Sequence, residues 1–104
     1  MASEYYQGVG LKIQIDISVD GFNQETGQYT IDVYCNGEKA VTYDQEDMRP
    51  SGDGHWLLPL PTDDLPEGKL FLIVTAFVPD EDFEGGIRKE IAAPIKIGTL
   101  RILG

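Results

Sequence analysis

A chain of 104 residues is the length of one domain, and residues 1–104 are expected to fold as one. Eighteen Asp and Glu against eight Lys and Arg give a net charge of −10. Such a surface repels phosphate backbones and anionic lipid, which argues against nucleic-acid and membrane partners and leaves cations or other proteins.

Residues 9–19 open the pattern. Val9, Leu11, Ile13, Ile15, Ile17 and Val19 alternate with Gly10, Lys12, Gln14, Asp16 and Ser18. A period of two places successive side chains on opposite faces of a sheet, so this segment is expected to be one long, half-buried strand. Residues 20–27 are polar turn formers and read as a loop. A second strand follows over 28–35, with Tyr29, Ile31 and Val33 on one face. Asn36-Gly37 tolerates positive φ at both centres of a type I′ turn, so 39–43 is expected to return as the partner strand.

Residues 44–54 are charged and loop-like. Residues 55–60 form a short strand containing Pro59, which lacks a ladder N–H and is therefore expected at an edge or a bulge. Residues 70–78 read Leu-Phe-Leu-Ile-Val-Thr-Ala-Phe-Val, apolar on both faces, as in a central strand covered on both sides. After the acidic loop 79–86, a mixed strand runs over 87–93 until Pro94 interrupts. The closing segment holds Ile95 and Ile97, then Leu100 and Ile102. The phase slips across Gly98-Thr99, where a bulge would restore it. No segment carries a helical period. About seven strands joined by turns predict an all-β fold, a single antiparallel β-sandwich of immunoglobulin-like type, with a small barrel as the alternative.

Chemistry-bearing residues are sparse. Asp80, Asp82 and Glu84 stand at positions one, three and five of a run whose glycine at six and aliphatic at eight match a calcium loop of the EF-hand type. The twelfth position is Ile91 rather than a carboxylate, and a strand precedes the loop instead of a helix. A solvated acidic turn accounts for it better, with a calcium loop of another type as the alternative. His55 is the only histidine, and Cys35 the only cysteine. One cysteine excludes an internal disulfide and suits a reducing compartment. Neither residue has partners in sequence that suggest zinc or a nucleophile–base pair, so the chain is read as no enzyme.

The two-faced strand speaks about association. If Leu70, Leu72, Val74, Ala76 and Val78 fill the core, then Phe71, Ile73 and Phe77 lie on the outer face. Each large apolar side chain left wet forfeits about 1.5–3 kcal/mol. Either a loop or terminus of the same chain, with Tyr5-Tyr6 as one candidate, or another subunit is expected to cover them, and the second case makes Phe71, Ile73 and Phe77 the candidate interface of a homo-oligomer or other multi-copy assembly. Aromatic side chains exposed in a row would instead suit sugar stacking, so a carbohydrate- or calcium-binding module is the alternative function.

The long first strand, the Asn36-Gly37 hairpin, Leu65-Pro66-x-Gly68-x-Leu70, and Pro79-Asp80-x-Asp82-Phe83-x-Gly85-Gly86 together resemble small β-sandwich proteins in phages and prophages of gut Bacteroidetes. The resemblance implies a virion structural part, such as a tail or baseplate component, acting through protein–protein contacts. The N-terminal Met-Ala-Ser-Glu-Tyr-Tyr has no secretory character, so synthesis in the cytoplasm, with later residence in a virion, is the expected location.

Overall fold

The computed structural model describes residues 3–92 and 94–103. Among these, nine strands occur: β1 (Glu4–Tyr6), β2 (Gly10–Gln14), β3 (Gln28–Cys35), β4 (Glu38–Asp44), β5 (Arg49–Pro50), β6 (Trp56–Pro61), β7 (Gly68–Pro79), β8 (Ile87–Ile91) and β9 (Ile95–Arg101). One sheet has the order β1-β9-β7-β3-β4, with β8 also paired to β7. The other has the order β2-β6-β5. The two pack against each other as an all-β sandwich. The strand count is nine rather than about seven, and the large sheet is mixed rather than wholly antiparallel, because β1 runs parallel to β9. The helical elements are single 3-10 turns at Gln45–Asp47 and Glu84–Gly86.

β7 organises the large sheet. β3 pairs along one of its edges from Leu70 to Phe77. Its other edge is shared: β9 takes Gly68 to Leu72, and β8 takes Thr75 to Pro79. The strand expected over 87–93 ends at Ile91, and Ala93 lies outside the described residues. Leu70, Leu72, Val74, Ala76 and Val78 are buried and stand opposite Cys35, Val33, Ile31 and Tyr29 or their flanks. The small sheet closes over them with Leu58, Leu60, Leu11 and Ile13. Each large side chain in this layer contributes about 1.5–3 kcal/mol relative to exposure.

Three local devices fit the chain to this plan. Asn36 (φ 55°) and Gly37 (φ 80°) form the left-handed centre of the β3–β4 hairpin. Gly68 (φ 147°) packs on that turn so closely that a Cβ would lie 2.6 Å from the Asn36 Cβ. In β9 the pairing skips Ile97, since Leu70 faces Gly98 and Phe71 faces Lys96. That bulge resets the phase, so that Ile95, Ile97 and Leu100 all pack inward.

The long alternation over 9–19 is a strand only from Gly10 to Gln14. Residues 15–19 keep the alternating burial but lose ladder pairing beyond Ile15, whose N–H donates to the Trp56 carbonyl at 2.9 Å. Gln24 stands in for a neighbouring strand. Its Nε2 donates to the Ile15 carbonyl and its Oε1 accepts from the Ile17 N–H, both at 2.8 Å. Pro59 sits in β6, the middle strand of the small sheet, opposite Lys12. β5 pairs only Trp56 and Leu57, so it ends before the edge on which Pro59 would have to donate.

Candidate functional site: the outer face of the large sheet

Directly paired residues share a face, so the register fixes what lies outside. Phe71 is level with Tyr34 and Lys96, Ile73 with Asp32, Thr75 with Thr30 and Ile91, and Phe77 with Gln28 and Lys89. The small sheet covers only the opposite face. Phe71, Ile73 and Phe77 are half-buried by their own neighbours. Tyr34 and Phe71 stack in parallel, 5.0 Å between centroids and 5° between planes. Lys89 Nζ lies 5.9 Å from the Phe77 ring centre, a cation–π contact. Ile91 and Ile87 on β8 extend the apolar area, with Ile91 67% exposed.

Tyr5-Tyr6 does not cover this face. Tyr5 is level with Leu100 and packs on the core, whereas Tyr6 is exposed, one strand removed from β7 and beside Arg101. Among the remaining aromatics, Phe22 and Tyr29 meet edge-to-face at 6.1 Å, and Tyr43 and Trp56 pack on the core. The aromatic group on β3 and β7 that faces outward is therefore Tyr34, Phe71 and Phe77, with Tyr6 apart at the β1 edge.

The charge distribution is the feature that sequence reading missed. The strand residues that point to the outer face include Lys39, Lys69, Lys89, Lys96 and Arg101 but only three carboxylates, Glu4, Asp32 and Asp44. Glu4 is bound to Arg101 at 2.6 Å, and Asp32 lies 4.0 Å from Lys39 Nζ. Asp44 caps the following 3-10 turn by accepting from the Glu46 N–H. A chain of net charge −10 thus gathers most of its cations around one apolar face. At the β7–β9 bulge this face dips into a groove of about 460 Å³, lined by Lys69, Phe71, Pro94, Lys96, Gly98 and Thr99.

The chain matches no family model, no curated protein and no solved structure.

The acidic loop sits beyond the far end of β7. Asp80 accepts from the Asp82 N–H at 3.0 Å through Oδ1 and from Arg88 Nε at 3.1 Å through Oδ2. Arg88 also binds Glu90 and donates to the Asp20 carbonyl, which clamps the loop to the 20–27 connection. Asp82 and Glu84 point to solvent. Among the described residues no three His, Cys, Asp or Glu side chains form a metal-binding group.

His55 is exposed, just before β6. Its Nδ1–H donates to Asp16 Oδ2 at 2.9 Å, and Gln14 Nε2 donates to the same oxygen at 2.7 Å. Desolvation raises the Asp16 pKa, but the bonds from Gln14, His55 and the Trp56 N–H together outweigh it, so the carboxyl is held below its ordinary value. The nearby Ser51 hydroxyl is directed to Asp53 and the His55 carbonyl instead of the imidazole, so this pair orients a loop and activates no nucleophile. Cys35 is buried, donates to the Pro66 carbonyl at 3.0 Å, and has its pKa raised by desolvation, which keeps it in the unreactive thiol form. Among the described residues no helix is long and apolar enough to cross a membrane.

Proposed function

We propose that this protein is a non-catalytic assembly component that works in several copies, docking through the outer face of its large sheet. The observation that carries the reading is the uncovered apolar surface of β7 and β8, namely Phe71, Ile73, Phe77, Ile87 and Ile91, on a sheet whose other face is buried along β3 and β7. Isolated surface hydrophobics need no partner. A contiguous set that spans two strands and is rimmed by lysines has the make-up of an interface: an apolar centre within a charged margin. The acidic remainder of the surface keeps such contacts specific by repelling indiscriminate ones. The resemblance of its turn motifs to those of small phage and prophage β-sandwich proteins supports a virion setting, in which an immunoglobulin-like sandwich made in the cytoplasm serves as a repeated building block. The test is the solution mass by light scattering at tens of micromolar. Assembly is expected, with Phe71→Asp and Phe77→Asp each returning the chain to a folded monomer, because a carboxylate would have to be buried unpaired in the contact. A wild-type chain that is monomeric throughout rejects the reading.

A further inference from the structure

The reading above names a face but not what sits on it, and two features at opposite ends of β7 fit each other. At one end is the groove formed by Lys69, Phe71, Pro94, Lys96 and Thr99. Its walls are mostly apolar, and among the described residues neither Lys69 nor Lys96 takes part in an ion pair. At the other end is the acidic loop, which carries Phe83 with 49% of its surface exposed, between Asp82 and Glu84. The loop is closed on itself: Asp80 N–H donates to the Gly86 carbonyl, and Gly86 N–H to the Phe83 carbonyl, both at 2.9 Å. It presents Phe83 as a preformed knob flanked by carboxylates.

We infer that the Phe83 loop of one copy docks into the Lys69–Phe71–Lys96 groove of the next, so that the chain assembles head to tail; this rests on the outer-face reading and names its occupant. Three arguments lead there. The first is charge. The loop offers Glu81, Asp82 and Glu84, and the groove offers two lysines that form no ion pair among the described residues, so the two surfaces attract. The second is chemistry. A phenylalanine brings about 150–250 Å² of apolar surface, and the groove supplies a ring and a proline to receive it. The third is geometry. From Phe71 to Pro79, β7 climbs about 26 Å at about 3.3 Å per residue, and the loop is closed at its far end, so a loop cannot reach the groove of its own chain.

Symmetric pairing of two outer faces is the competing arrangement. It would bring Lys69, Lys89 and Lys96 of both copies together, with Asp32 held by Lys39, Glu4 by Arg101 and Asp44 turned to its 3-10 cap, a like-charge juxtaposition that disfavours it. Unlike patches joined head to tail generate rings or filaments, depending on whether the rotation closes.

Two variants on exposed residues test the arrangement without threatening the fold: Phe83→Ala, and the double change Lys69→Glu with Lys96→Glu. Each is expected to weaken self-association about tenfold or more, the loss typical of a central anchor, measured by sedimentation velocity across a concentration series. Mixing them is decisive. Each variant keeps the half that the other has lost, so the mixture should form a species that stops at two chains. Symmetric pairing predicts no such recovery. If Phe77→Asp dissolves the wild-type assembly while Phe83→Ala and the lysine variant leave it intact, the head-to-tail contact is overturned and the outer-face reading stands. A wild-type chain that never exceeds the monomer mass overturns both.

Discussion

The two faces of β7 both carry large apolar residues and have opposite fates. Leu70, Leu72, Val74, Ala76 and Val78 meet the small sheet and are at most 2% exposed. Phe71, Ile73 and Phe77 meet only their lateral neighbours and remain half-buried. Hydrophobicity therefore explains the first face completely and leaves the second with surface to spare. What distinguishes them is the company each keeps: aliphatic neighbours inside, lysines outside. A strand can thus devote one face to stability and leave the other free for contact under the proposed assembly.

The strongest test of that division is a pair of truncations one residue apart. Leu72→Ala should cost about 2–5 kcal/mol of stability, since it leaves a cavity in a close-packed layer. Ile73→Ala should cost less than half as much, because its site is already open to water. Urea denaturation of both variants measures the contrast, and equal losses would erase it.

Gly68→Ala probes how tightly the inner face is closed at its end. The alanine methyl would collide with the Asn36 turn at a backbone angle that L-residues rarely adopt, so a loss of about 1–3 kcal/mol is expected. A neutral substitution would show that the hairpin can move away. Cys35 reports on the same layer by chemistry. Its thiol should react with an aromatic disulfide reagent only on the timescale of unfolding, and Leu72→Ala should speed that reaction. Rapid labelling of the native protein would mean that the inner face opens locally.

The smallest effect concerns the cover. The Asp16 carboxyl has a pKa below its unfolded value of 3.8. Its bonds to Gln14, His55 and Trp56 therefore contribute stability that is present above that value and lost as pH falls through the lowered folded pKa. Asp16 is exposed and screened, so Asp16→Asn should flatten the acid limb of the stability curve below pH ~4 by under about 1 kcal/mol. No change in that limb would show that the pair is ornamental.

Much of this was legible in the sequence, for local reasons. The period-two run of β7, the Asn36-Gly37 turn and the phase slip in β9 are each written within a few neighbouring residues. Residues 15–19 misled because alternation reports burial, whereas strand pairing depends on a backbone neighbour, and here the Gln24 amide replaced it. The three residues of β1 carry too little pattern to declare a strand, and their partner lies at the other end of the chain. Phe71, Ile73 and Phe77 could be placed on an outer face from alternation alone. The lysines around them could not, because Lys39, Lys69, Lys89 and Lys96 come from four strands, and only the register assembles them.

The pairing of β1 with β9 also sets an order of events during synthesis. Glu4, Tyr5 and Tyr6 leave the ribosome long before their partners Thr99, Leu100 and Arg101. Closing so long a loop is entropically late and slow. Until then one edge of β7 lacks β9, and the nascent sheet presents an unpaired ladder while its neighbours on the same message are being translated. In a protein produced in many copies, that interval is when wrong strands could be exchanged. The −10 charge, established as the acidic loops emerge, would hold unfinished chains apart until each has closed on itself.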